Sequence, residues 1–313
     1  MAGFRQVMVF CALAVTIDVA AGLGFRWMQG RVRADAGVGA VNVALEKRPD
    51  VLLLGSSRMK HHAVPSVVAG VSGLSAYNAG QDGYDFLYGA MLLDLWARVN
   101  PPPKYVVLHV DAGFLSRNVE ELQRSRLFGL FAWRSSYIRS VLDQRGPLEF
   151  VKRLSMSYRA NGKVFNLIKE FATGARAVGN TDGYGALWGC SPSFFGRSAA
   201  LENQGLVWDF KMRSLERMAE YCRSNNARLV LVHSPYFRET ESERSELLGT
   251  IDAVRAKVSE VEFWEISEFS HPELFRGKSG SFFDEAHLND RGARDYSRVL
   301  GGKLRALGSV RDR

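Results

Sequence analysis

Two serines, an aspartate and a histidine in this chain have the types and the setting that hydrolytic chemistry needs. Ser56 and Ser57 stand in Gly55-Ser56-Ser57-Arg58, directly after the apolar run Val51-Leu52-Leu53-Leu54. Asp284 and His287 stand three apart in Phe283-Asp284-Glu285-Ala286-His287-Leu288-Asn289. A serine hydroxyl is a poor nucleophile at neutral pH. It needs a general base, usually histidine, and the base needs an orienting group. The three-residue spacing lets one turn aim Asp284 and His287 into the same cleft. Asp284 then holds the imidazole in the tautomer whose free nitrogen faces the serine. Asn289 or Asp290 can cap the helix that follows. The competing readings are a plain tight turn at the serines and a helix cap beside a surface histidine.

These residues require a scaffold that brings chain positions 57 and 287 together. Val51–Leu54 reads as a buried parallel strand, and the small residues after it make a sharp exit at its carboxyl end. A helix starts near Val64, with Pro65 in its first turn, and Ser75–Asn78 is a second short strand. Phe86–Val99 has helical periodicity and stops before Asn100-Pro101, and Tyr105–Val110 is a third strand. The alternation predicts a parallel α/β sheet. It resumes later with a helix over Asn203–Arg223, strands at Arg228–Val232 and Glu262–Ile266, and helices over Ser242–Val258 and Asp290–Leu307. Five parallel strands are expected in all.

Residues 119–172 break the pattern. They read as helices around Glu120–Phe131, Ser135–Gln144, Leu148–Ser157 and Lys163–Phe171, followed by a Gly-rich loop from Thr173 to Gly189. We expect residues 115–200 to be an insertion that caps the sheet and shapes a pocket, or a second packing layer. Trp133, Tyr184 and Trp188 could stack on sugar faces or simply pack in a core.

The N-terminal stretch Val7–Phe25 is apolar except for Thr16 and Asp18, and as a helix it rises about 28 Å. That nearly crosses a hydrocarbon core of about 30 Å. Residues 1–33 are therefore a membrane anchor, a signal segment cut near Val19-Ala20-Ala21, or a buried helix. Asp18 is costly within a bilayer, and the flanking Arg26, Arg31 and Arg33 favour a cytoplasmic main domain by the positive-inside rule. Residues 34–49 hold a short helical linker over Gly37–Lys47.

The net charge of +8 over 313 residues comes mostly from scattered arginines. No dense basic block or base-reading motif points to nucleic acid, so the charge suits a solvated surface near anionic polymer or lipid. Three cysteines exclude a disulfide framework, although Cys190 and Cys222 could pair outside the cytoplasm. Metal-ligand spacings and a phosphate-binding Gly-Lys loop are absent from the sequence, so neither a metal nor an organic cofactor is expected.

Three stretches in this order resemble the SGNH (GDSL-like) hydrolase superfamily. Gly55-Ser56-Ser57 is similar to its Gly-Asp-Ser nucleophile motif, which puts the nucleophile at Ser57. Asn78-Ala79-Gly80-Gln81-Asp82-Gly83 resembles the second motif, whose glycine N–H serves the oxyanion hole, here Gly83 by register. Asp284-Glu285-Ala286-His287 matches Asp-x-x-His, and Leu288-Asn289 through Gly292 is also familiar from the superfamily. The third motif departs. Where the family places an asparagine donor, this chain has Val110-Asp111-Ala112-Gly113-Phe114. Asn78 or Arg58 could supply the missing donor.

The resemblance implies a three-layer α/β/α sandwich over residues 50–308, with Ser57, Asp284 and His287 catalytic. It is shared with a membrane-anchored branch that carries a Gly-Ser-Ser-Arg opening and a nearby His-His pair, here His61-His62. Some relatives in that branch act on acyl groups of cell-surface polysaccharide. It therefore implies an O-acyl, chiefly acetyl, ester or transfer activity outside the cytoplasm. A membrane-bound acyltransferase is a possible partner. Arg58 could bind a substrate carboxylate or pair with Asp82 or Asp111. Asp111 and His233, at strand ends on the same edge, are further candidates for substrate contact. The rival reading is a non-catalytic glycan-binding or scaffold subunit, to which the altered third motif points.

Overall fold

The structure is a computed structural model, and it describes residues 2–174, 182–190, 206–258 and 260–309. The chain forms two compact units, Met1–Val43 with Val119–Val178, and Ala44–Asn118 with Gly179–Arg313. The helices expected as an insertion thus group with the N-terminal helix.

The second unit is built on five strands, β1 (Val51–Leu54), β2 (Ala76–Asn78), β3 (Tyr105–His109), β4 (Arg228–His233) and β5 (Glu262–Glu265). They pair in the order β2-β1-β3-β4-β5, all parallel. The central strands are Val- and Leu-rich because both faces are covered. Val51–Leu54, Val106–Leu108 and Val230–Val232 are fully buried. The order reverses at β1, which has β2 on one side and β3 on the other. In such sheets the crevice for a ligand opens at the carboxyl ends beside that reversal. Gly55 and Asp111 follow the two strands that flank it.

Helices α2 (Gly37–Glu46), α3 (Ser57–His62), α4 (Pro65–Ser72) and α5 (Phe86–Trp96) belong to the first half of the chain; α2 itself crosses the boundary between the units. In the second half, α10 (Asp209–Ser224), α11 (Glu241–Lys257), α12 (Pro272–Phe275) and α13 (Asp290–Ser309) continue the pattern. The start expected at Asn203 lies outside the described residues. A reciprocal cap between Thr240 and Glu243 begins α11. Helix α13 packs on α4, and Tyr296, Leu300 and Leu304 join a core with Val64 and Val68.

The first unit contains α1 (Ala2–Gln29), α6 (Val119–Arg124), α7 (Ser136–Asp143), α8 (Glu149–Lys152) and α9 (Val164–Ala172), with a 3-10 helix over Ser125–Arg134. Helix α1 is long and apolar enough to cross a bilayer. The single helix predicted over Leu148–Ser157 is a four-residue turn instead. The N–H groups of Met156 and Ser157 and the hydroxyls of Ser155 and Ser157 donate to the Asp18 carboxylate, which draws the chain out of a helix. Cys11, Cys190 and Cys222 are all free, and Cys222 is buried while Cys190 is exposed, so the pair is not joined.

Candidate active site

The exit from β1 is tight because Gly55 lies against β3. A Cβ there would come within 2.7 Å of the His109 Cβ and 2.9 Å of the Met59 Cβ. Immediately after, Ser56 and Ser57 take different roles. Ser56 is the N-cap of α3, and its hydroxyl accepts from the Arg58 N–H at 3.2 Å. Ser57 is the first helical residue, and its Oγ lies 2.9 Å from His287 Nε2. Its backbone N–H, in the first turn of α3, has no acceptor inside the helix.

His287 Nδ1 is 2.9 and 3.0 Å from the two Asp284 oxygens. A carboxylate there requires Nδ1 to carry the proton, so Nε2 is left to accept from Ser57. Asp284 Oδ1 also accepts from the N–H groups of Ala286 and His287, at 2.8 Å each. Burial alone would raise the Asp284 pKa. The bonds from His287 and from the two backbone N–H groups outweigh it and hold the carboxyl below its usual value. Serine, imidazole and carboxylate are thus brought into one hydrogen-bonded line, half-buried, from residues 230 positions apart.

A second layer holds the first. His62 is fully buried, and its Nε2 accepts from the N–H of Leu288, next to His287. Its Nδ1 therefore carries the proton and donates to Ser234 Oγ at 2.8 Å, and that hydroxyl donates to His109 Nε2 at 2.9 Å. Burial, then the nearby Arg58 charge, push the His62 pKa well down, so the ring is neutral. His61 packs edge-on against His287, ring centroids 5.4 Å apart. Its Nδ1 faces the Gly185 carbonyl at 2.5 Å, and its Nε2 faces Asp82 at 2.9 Å. Asp82 also holds Lys60, which pins the second-motif loop to α3.

Several expected roles change here. Asn78 is not an oxyanion donor. Its amide group donates to the carbonyls of Met59 at 2.7 Å and Ala63 at 2.8 Å, and its Oδ1 accepts from Gly80. Both amide hydrogens are committed to closing α3, so Asn78 is a positioning residue. Gly83 sits in an exposed turn with φ 73°, just past the pinned Asp82.

Arg58, expected as a substrate ligand or a third oxyanion donor, is held in a buried network. It is 3% exposed, ion-paired with Asp111, bonded to the Ser234 carbonyl, and stacked 3.5 Å from the Tyr236 ring centroid. Of the alternatives open for it, pairing with Asp111 is the one realised. His233, 1% exposed, is likewise unavailable to substrate. Its Nε2 donates to Glu239 at 2.7 Å and its Nδ1 to the Val110 carbonyl at 3.0 Å. Asp111 keeps a partly exposed edge at the site. Tyr184 is core, its hydroxyl donating to Asp290 at 3.1 Å, whereas Trp188 is exposed. Residues 175–181 of the Gly-rich loop lie outside the described residues. Its remainder runs against the site, with Gly183 so close that a Cβ would overlap the Asn78 carbonyl.

Burial would raise the Asp111 pKa, but Arg58 and then His109 and His233 hold it far below the carboxylate range. His109 is pushed down to about 3, first by burial. For His233 burial acts downward, yet the bonds to Asp111 and Glu239 win and raise it to about 9. His109, Asp111 and His233 also place one potential metal-ligand atom each within 4.8 Å of one another. A dication there would sit beside the Arg58 guanidinium, so the cluster is better satisfied as the ion-paired network just described.

The raised His233 pKa has a consequence for stability. A group that binds its proton more tightly when folded contributes fully below its unfolded pKa, and that contribution is lost as pH rises through the folded value. Denaturant unfolding will show stability falling between about pH 6.5 and 9, and His233→Gln will flatten that decline. An equal slope in both proteins excludes this role.

No protein-family model matches the chain, and a search of curated proteins returns no match. The site is therefore read from its own geometry. Glu239 and Tyr236 carried no signal in the sequence; His62 was visible only as half of the His61-His62 pair, and Ser234 only by its place at the end of a predicted strand.

Proposed function

We propose that this protein is a serine-dependent O-acyl ester hydrolase or acyltransferase of the SGNH type. Its domain would be a three-layer α/β/α sandwich carried by an N-terminal membrane anchor. The observation that carries this reading is the line from Ser57 Oγ through His287 to Asp284, at the carboxyl edge where the strand order reverses. The three motifs in chain order support it.

In this mechanism Ser57 Oγ attacks the ester carbonyl and its proton passes to His287 Nε2. Asp284 stabilises the imidazolium through Nδ1–H. The Ser57 N–H, at the start of α3, and the Gly83 N–H would donate to the oxyanion. Collapse of the tetrahedral intermediate expels the alcohol, which takes the proton from His287. Water then attacks the acyl-serine, with His287 again as base; a sugar hydroxyl in place of water gives transfer. Asp111 occupies the place of the usual asparagine donor. Its charge would oppose an oxyanion, and the Arg58 pair offsets that repulsion. Losing one such donor costs about 3 kcal/mol of transition-state stabilisation, so a slow esterase is expected. The substrate class, acetyl esters on envelope polysaccharide with the domain outside the cytoplasm, rests on the family resemblance.

The second reading is a glycan-binding subunit without turnover, favoured by the carboxylate in the donor's place. A fluorophosphonate probe separates the two. The hydrolase reading expects an adduct on Ser57 that is absent in Ser57→Ala, together with acetate release from aryl acetates. Wild-type protein that neither labels nor releases acetate, while retaining its fold by circular dichroism, overturns it.

A further inference from the structure

We infer that the helical segment 119–174 is a second membrane-contacting element, seated beside α1 at the surface of an anionic bilayer that α1 crosses. This rests on reading α1 as an anchor and is independent of the hydrolase chemistry.

Helix α1 exposes apolar side chains from Phe4 onward, including Phe10, Ile17, Leu23 and Trp27. Crossing about 30 Å of hydrocarbon takes about 20 residues, which from Phe4 reaches Leu23, beyond Asp18. An isolated carboxylate at that depth is costly. Here it is not isolated, because it accepts from the backbone and hydroxyls of residues 155–157. One turn further along, Gly22 lies against Met156 so closely that a Cβ would approach its Cβ to 2.4 Å. Trp27 packs on Phe171 of α9, and Arg26 stacks 3.6 Å from the Trp133 ring centroid. The clamp therefore fixes the segment at a level along α1 that the bilayer must cover.

The segment's own surface suits that level. Leu148, Phe150, Val151 and Leu154, just before the clamp, are each more than half exposed, and Phe165 on α9 is 78% exposed. Such a group of bare apolar side chains is unfavourable in water, and Leu148 to Leu154 stand just before the residues that hold Asp18. The segment also carries ten Lys and Arg against five Asp and Glu, an excess that draws it to anionic headgroups. Apolar anchors within a basic element fit an interfacial seat in lipid better than they fit a neutral protein groove.

The test uses full-length protein in vesicles of phosphatidylcholine and phosphatidylglycerol, with an environment-sensitive fluorophore on single cysteines. Native Cys11, with Cys190→Ser and Cys222→Ala, reports on α1. Phe150→Cys and Phe165→Cys, with Cys11→Ser added, report on the segment, and Val99→Cys on the other unit is the aqueous control. The expected result is a blue shift and several-fold stronger quenching by spin-labelled lipid at positions 11, 150 and 165 than at 99. Removing phosphatidylglycerol should weaken the effect at 150 and 165 only. Quenching at 11 alone overturns the inference and leaves the anchor; quenching at none overturns both. A blue shift at 150 and 165 without lipid quenching means a protein contact, such as a second copy, and also overturns it. Hydroxyl-radical footprinting of the wild-type protein in lipid discs needs no substitution. It should protect residues 148–154 as well as 4–17, and oxidation of 148–154 in the discs counts against the inference.

Discussion

If the proposed mechanism holds, Ser57→Ala will lower kcat/KM for an aryl acetate by about 10⁵-fold, and His287→Ala added to it will cost almost nothing more. The reason is that the two act as one unit. Ser57 is nucleophilic only while His287 Nε2, 2.9 Å away, can take its proton, and His287 without Ser57 has nothing to activate. Each single variant should therefore fall nearly to the level of the pair. What remains is the rate supplied by the backbone donors and by binding, about 10³-fold over water. Asp284→Asn should fall somewhat less, because it leaves the serine and imidazole in place but disturbs the tautomer. The measurement is steady-state hydrolysis by the four proteins, with urea midpoints to confirm that each is folded. Additive losses in the double variant would mean that the serine and histidine do not cooperate, and the proposed mechanism would fail.

Asp111→Leu will destabilise the fold by about 3–5 kcal/mol, the scale for breaking a buried pair and stranding its partner. The stranded partner is the Arg58 guanidinium, which is 3% exposed and has no route to water without leaving its seat over Tyr236. Removing both charges, as Arg58→Met with Asp111→Leu, should recover most of that loss, since the cost lies in the unpaired ion rather than in the missing pair. The pH dependence has a definite sign. The Asp111 pKa is depressed in the fold, so its contribution is complete above the unfolded value near 4 and is lost as pH falls below it. Wild-type stability should drop in acid more steeply than that of the double variant. Because Arg58 follows Ser57 directly, the hydrolase reading expects the single variant to lose esterase activity as well, and recovery in the double variant will show that the loss came from the stranded cation displacing α3. A single variant as stable as wild type would show that the pair is not essential to the edge of the site.

Much of this was legible along the chain because it depends on local pattern. Val51–Leu54 and Arg228–Val232 are runs that suit strands covered on both faces, and Phe86–Trp96 keeps helical spacing until Asn100-Pro101. Asp284 and His287 could be paired on spacing alone, since a three-residue turn brings their side chains together without help from elsewhere. Ser57 could be chosen over Ser56 only by resemblance. In the fold the choice has a physical basis, because Ser56 spends its hydroxyl on the N-cap.

The roles that changed belong to side chains whose partners stand on other segments, as near as Glu239 for His233 and as far as Ser234 for Arg58. Asn78, Arg58 and His233 have the chemistry of site residues. Except for Arg58 Nε, their donors are engaged by groups such as Ala63, Asp111, Ser234 and Glu239 once the strand ends converge. Asp18 is the same case in the other unit. By itself it spoils an apolar helix, yet in the fold it holds residues 155–157.

The sequence by itself therefore determined the strands, their parallel α/β arrangement and the candidate nucleophile, base and acid. Each of those follows from periodicity, spacing or motif within a few residues. Only the tertiary structure decided which of the remaining polar groups stay free to meet a substrate, because bonds such as Arg58–Asp111 and His233–Val110 exist only after the sheet has brought its strand ends together. The first stretch, Gly55-Ser56-Ser57-Arg58, contains both kinds of information. Its place after a strand is local, and its division into a close-packed glycine, a cap, a serine aimed at His287 and a buried cation is not.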